Sequence, residues 1–125
     1  MAQTATGGFG QTLKMRTFDT GATRDTDSDK LDFDGFLSPL ALEAFAEYMH
    51  RHRQVADGSL RASDNWQKGM PLDEYRKSAW RHFFAFWKTS RDPKFDHDSV
   101  ATVDAACGVL FNIMGYLHEA LRDRS

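Results

Sequence analysis

The chain has a single cysteine, Cys107, among its 125 residues. An internal disulfide is therefore excluded, and its apolar setting marks this thiol as a packing residue suited to a reducing compartment. Charge of one sign is missing too: 16 Lys and Arg against 18 Asp and Glu leave a formal net charge of −2. That balance gives no global electrostatic case for a nucleic-acid polymer or an anionic membrane. The amino terminus lacks the basic-then-apolar order of a signal peptide, and the one apolar run of spanning length is broken by Asp104. These absences predict a cytoplasmic protein with no membrane partner. No internal repeat or linker divides the chain, and 41% hydrophobic residues suffice for one ordinary domain.

Charge is scarcest between Ser99 and Leu117, where Asp104 is the one charged side chain in a run of Val, Ala, Leu, Phe, Ile and Met. A buried carboxylate without a partner costs several kcal/mol or gives up its charge. Asp104 therefore calls for a metal ion, a cationic side chain or a water-lined cleft, with function and a structural ion pair about equally weighted.

The remaining pattern is helical. Residues 1–19 read as a flexible or weakly structured segment, with a short strand within Leu13 to Phe18, and Thr20 to Asp34 as a polar loop. Residues 20–125 read as one helical domain. Ser38-Pro39 is a helix start, and the first helix is predicted to run to about Arg53 with Leu42, Phe45, Ala46 and Met49 buried. Glu43, Glu47 and His50 share an adjacent edge. Pro71 begins a second helix to about Lys88, with Tyr75, Ala79, His82, Phe83 and Phe86 inside. A third runs from an Asp98 or Ser99 cap to about Arg122, and Val100, Val103, Cys107, Leu110, Met114, Leu117 and Leu121 recur as a bundle seam. That helix is apolar nearly all round, and two other helices are too few to enclose it. A homo-oligomer, dimer or tetramer, is expected.

Glu43 and Glu47, one turn apart, are candidate ligands for Mg²⁺ or Mn²⁺, which favour carboxylate oxygens. As an isolated pair they are more commonly a solvated helix edge. Antiparallel packing of the first and third helices could join them to Asp104, with His97 or Asp98 near the rim. Arg24, Lys30 and Arg81 are candidate phosphate contacts; Asn65, Trp66 and Asn112 are candidates for base or sugar. Each has a plainer reading: solvated cations, a Trp66 that pins its loop, an Asn112 bonded to backbone. Gly108 marks a close approach, with helix packing ahead of a ligand, and His82 reads as a core histidine.

The blocks Gly21-Ala22-Thr23-Arg24-Asp25, Ser38-Pro39-Leu40-Ala41-Leu42-Glu43, Asn65-Trp66-Gln67-Lys68-Gly69-Met70-Pro71, Trp80-Arg81-His82 and Leu110-Phe111-Asn112-Ile113-Met114-Gly115-Tyr116-Leu117-His118-Glu119 occur in order. Together they resemble the amino-terminal family of phage dATP/dGTP diphosphohydrolases. The resemblance implies an all-α bundle of the MazG-like nucleoside triphosphate pyrophosphohydrolase type. It further implies metal-dependent cleavage of purine deoxynucleoside triphosphates to monophosphate and pyrophosphate, in the host cytoplasm if phage-encoded, with Glu43, Glu47 and Asp104 as metal ligands and catalytic groups. The family's usual second motif, Glu-x-x-Asp, is reduced here to Asp104. The alternative is a non-catalytic helical accessory or assembly protein, or a nucleotide-binding regulator, with its carboxylates paired to Arg or Lys.

Overall fold

The computed structural model describes residues 15–17, 19–21, 23–25 and 29–122. Its backbone order is strand β1 (Met15–Thr17), strand β2 (Thr23–Asp25), helical turn α1 (Phe33–Phe36), and helices α2 (Pro39–Arg51), α3 (Leu72–Ser90) and α4 (Val100–Leu121). A 3₁₀ turn at Asn65–Lys68 lies between α2 and α3. The chain divides into two compact units, Met1–Ser38 and Pro39–Ser125.

In the first unit β1 and β2 pair antiparallel, with Arg16 opposite Arg24. Gly21 in the connecting turn has φ 89°, a conformation that side chains with a Cβ resist. The polar segment from Thr20 to Asp34 is thus more than a loop, since it contains β2 and the start of α1. Asp32 starts α1 by accepting from the Gly35 backbone N–H at 3.0 Å. The expected strand in Leu13 to Phe18 is present at Met15–Thr17; Leu13, Lys14 and Phe18 lie outside the described residues, as does most of the expected 1–19 tail.

In the second unit α4 packs against both α2 and α3. Its start is dictated locally: Ser99 caps it by accepting from the Thr102 N–H at 3.2 Å, and the Thr102 hydroxyl donates to the Asp96 carbonyl at 2.8 Å. α3 begins after Pro71, and Asp73 and Glu74 complement the positive end of its dipole.

The α3–α4 contact is built on glycines. A Cβ on Gly108 would run into the His82 ring, and one on Gly115 into the ring of Tyr75, which is 1% exposed. These pairings run in opposite directions along the two helices, so α3 and α4 are antiparallel. Between the glycines, Asn112 is 2% exposed and donates to the Gly108 carbonyl at 2.8 Å. Helix packing therefore accounts for Gly108, and His82 is a packed histidine.

On its other side α4 meets α2 through Phe45, Tyr48 and Cys107, with Met49, Val103, Phe111 and Met114 packed around them. The buried stripe of α2 is therefore Phe45, Tyr48 and Met49, while Leu42 and Ala46 are exposed. The described core contacts of α2 lie from Phe45 onward, which leaves Leu42 beyond them. The seam expected on α4 is also divided: Val103, Cys107 and Met114 face inward, whereas Val100, Leu110, Leu117 and Leu121 are exposed. Two neighbours cover two sides of the helix and no more. By length and composition alone, α4 is long and apolar enough to cross a membrane.

Between α2 and α3 the chain is pinched at Gln54 and Leu60, around an Asp57-Gly58 turn with φ 87° at the glycine. It then settles on the end of α4. Trp66 meets the His118 ring edge-on, with centroids 4.9 Å apart, and Gly69 sits where a Cβ would strike Glu119.

Candidate functional site

The edge of α2 that carries Glu43 and Glu47 continues, at the same four-residue spacing, to Arg51. Arg51 Nη1 donates to Asp104 Oδ2 at 3.1 Å and Nη2 to Oδ1 at 2.8 Å, a two-pronged, charge-assisted pair. The side chains are 49% and 31% exposed, so the pair sits at a wet helix edge. The Arg51 hydrogen bonds hold the Asp104 carboxyl below its ordinary value of 3.8 despite partial desolvation, with the charges of Arg51 and His52 helping. Reciprocally, the Asp104 hydrogen bond raises the Arg51 pKa. Burial, then the Asp104 charge, pushes up both the Cys107 thiol and the Tyr48 hydroxyl, so neither is an activated group at neutral pH.

This arrangement answers the question posed by a lone carboxylate on an apolar helix: its partner is a cation from α2. α2 and α4 are antiparallel, as Arg51 with Asp104 and Tyr48 with Cys107 show. In that register Asp104, near the start of α4, comes opposite the end of α2, where the residue is Arg51. Glu43 lies two turns back, about 12 Å along the helix. Both Glu43 and Glu47 are exposed.

The carboxylates as placed do not fit a resident Mg²⁺ or Mn²⁺ ion. Among the described residues, His, Cys, Asp and Glu ligand atoms come within 4.8 Å of one another in a group of three only at Asp96, His97 and Asp98. Those three are exposed in the loop before α4, and Glu43, Glu47 and Asp104 form no such group. Asp96 is explained by its loop: hydrogen bonds from Asp98, chiefly, hold its pKa down.

The other candidates lie on several elements. Arg24 lies on β2 and Lys30 is exposed, both in the first unit; Arg81 is exposed on α3. Asn65 and Trp66 are half-buried in the 3₁₀ turn, where Trp66 is spent on His118. Asn112 is inside the α3–α4 contact, bonded to its own helix. Two hollows escaped the sequence reading. One, of about 460 Å³ at the end of α3, is lined by Trp87, Lys88, Arg91, Asp92 and Pro93, with the Arg91 guanidinium 5.9 Å from the Trp87 ring centre. The other, of about 400 Å³, is an apolar groove between α3 and α4 with Trp80, Phe83, Val109 and Ile113 on its walls. Neighbouring Trp, Lys and Arg in the sequence Trp87-Lys88-Thr89-Ser90-Arg91 were the available signal for the first.

Fold and site together define a small, mainly helical domain with an ion-paired carboxylate edge. The chain belongs to the family described as dATP/dGTP diphosphohydrolase, N-terminal, which it matches over residues 20–124. No curated protein and no solved structure matches it.

Proposed function

We propose that this domain hydrolyses purine deoxynucleoside triphosphates, dATP and dGTP, to the monophosphate and pyrophosphate. The family match over residues 20–124 carries this reading. Water adds to the α-phosphorus, the bond to the oxygen bridging the α- and β-phosphates breaks, and pyrophosphate leaves. The substrate is taken as the metal–nucleotide complex, with Mg²⁺ or Mn²⁺ brought by the phosphates. The hollow at Trp87, Lys88 and Arg91 supports a nucleotide ligand, because an aromatic face suits a base and the two cations suit phosphates. Arg81, on the same helix, is a further phosphate contact in this reading.

A second reading has its own support. The Arg51–Asp104 pair neutralises the carboxylate on which metal-assisted hydrolysis would depend, which favours a domain that binds the nucleotide without turning it over. One experiment separates the two. Purified protein is incubated with each common dNTP and NTP plus Mg²⁺ or Mn²⁺, and released pyrophosphate is measured beside nucleotide binding by equilibrium dialysis. Pyrophosphate from dATP or dGTP establishes the first reading, binding without release the second. Neither outcome with any nucleotide overturns both and leaves a helical accessory protein.

A further inference from the structure

The net charge of −2 hides a local excess of the other sign. Between Glu74 and Asp92 the chain carries five cations, Arg76, Lys77, Arg81, Lys88 and Arg91, and no Asp or Glu. Lys77, Arg81, Lys88 and Arg91, with Trp80, Phe84 and Trp87 set among them, fall on the side of α3 opposite its buried Tyr75 and Ala79. All of them are exposed, Trp80 by 70%. Rings and cations are interleaved: Lys88 Nζ lies 5.6 Å from the Phe84 ring centre, the Arg91 guanidinium 5.9 Å from that of Trp87, and the Phe84 and Trp87 rings are 5.7 Å apart. Among the described residues no carboxylate is ion-paired with these cations. Asp92, at the end of the ridge, accepts from the Lys94 backbone N–H at 2.8 Å.

A ligand that fits must offer negative charge and flat apolar faces in alternation. From Lys77 to Arg91 the ridge runs about 21 Å, room for roughly four to six nucleotides of a single strand. A single strand presents both its phosphates and its base faces, whereas a duplex keeps the faces stacked inside. A lone nucleotide reaches only the hollow at Trp87, Lys88 and Arg91, and Lys77, Trp80 and Phe84 lie outside it. An anionic bilayer is the poorer occupant. A helix lying in a membrane surface has an apolar centre with cations at its margins, but here Lys77 and Lys88 share the outermost line with Phe84, and both tryptophans stand to one side of it.

We propose that the outer ridge of α3 binds single-stranded nucleic acid, with phosphates against Lys77, Arg81, Lys88 and Arg91 and bases stacked on Trp80, Phe84 and Trp87. The contacts are to phosphates and base faces, which DNA and RNA share, so the ridge is tolerant of sequence. It overlaps the hollow offered above to a nucleotide and continues past it, and it does not depend on hydrolysis.

Fluorescence anisotropy with labelled oligothymidylate and oligouridylate, each of about twelve nucleotides, reads this binding apart from the nucleotide reaction, because neither strand carries a purine or a triphosphate. Binding of either sustains the proposal, and the tighter of the two names its source. The logarithm of the association constant falls with that of the salt concentration at a slope of about −3, as four phosphate contacts require. Lys77→Ala flattens that slope by about 0.7. Trp80→Ala weakens binding about fivefold or more at an unchanged slope. Lys68→Ala, an exposed position off the ridge, alters neither. Binding of dATP and dGTP in equilibrium dialysis stays the same in the Lys77 and Trp80 variants. Should Trp80→Ala lose its helical circular dichroism, Trp80→Leu replaces it, keeping apolar bulk without the flat ring. No binding of either strand at about 50 mM salt overturns the proposal, as does binding unchanged by a folded Trp80 variant, or a duplex held as tightly as the single strands. Protein that sediments with phosphatidylserine vesicles and binds neither strand overturns it in favour of an anionic bilayer. Strand binding without any binding of dATP or dGTP sustains it and overturns the nucleotide reading alone.

Discussion

Arg51 and Asp104, 53 residues apart in sequence, are joined by two hydrogen bonds of 3.1 and 2.8 Å that tie the end of α2 to the second turn of α4. Both groups remain in contact with water, which limits what their pairing contributes. Asp104→Asn is expected to lower the melting temperature by no more than about 5 °C. A drop several times larger would show a buried, indispensable pair.

The same pair has a pH signature. Because the folded-state pKa of Asp104 lies below the ordinary 3.8, its stabilisation is complete above that value and is lost as pH falls through the lower folded value. The melting difference between wild type and Asp104→Asn is therefore constant from pH 7 to about 5 and shrinks below about 4. Thermal scans across that range check it. A difference that instead closes near pH 6 would point to histidine.

The glycines of α4 differ in how far their neighbours can yield. Tyr75 is fully enclosed, so Gly115→Ala is expected to destabilise the domain by about 1–3 kcal/mol through overpacking. His82 is half-buried, and in Gly108→Ala its displacement is offset by the roughly 1 kcal/mol that Ala gains over Gly within a helix. Urea melts should place Gly115→Ala clearly below Gly108→Ala. The reverse order would show that the Tyr75 contact is the softer one.

Trp66 holds the loop that precedes α3 to His118. Trp66→Ala should speed protease cleavage within residues 54–70 several-fold while leaving nucleotide affinity unchanged. Limited proteolysis beside equilibrium dialysis reads both quantities. Affinity lost without faster cleavage would return Trp66 to the base-binding role considered from sequence.

Ser99→Ala removes the cap of α4, and with it an acceptor for the Thr102 N–H and a hydroxyl partner for Thr102. The expected loss is about 1 kcal/mol. A chemical melt unchanged within error would mean that Thr102 and the Asp96 carbonyl hold the turn without it.

Helix positions were legible because Ser38-Pro39, Pro71 and Ser99 act within a few residues of themselves. The candidate site was less legible, since it depends on the register between α2 and α4. The i, i+4 line from Glu43 through Glu47 reaches Arg51 in sequence, but which member meets Asp104 is decided by where the helices cross. The face assignments on α4 failed for a related reason: Val103 and Leu110 both satisfy the seam spacing, and the number of neighbours decides which is covered. The β1–β2 hairpin was obscured by polar composition, though Gly21 was its one local sign.

Tyr75 and His82 are seven residues apart on α3, as Gly108 and Gly115 are on α4, so each ring has one recess at matching pitch. Such a pair of studs and sockets admits a single alignment. Sliding α3 by one turn lifts both rings onto side chains at once, and no intermediate offset seats either. Within the second unit α3 and α4 are therefore keyed together as one rigid piece.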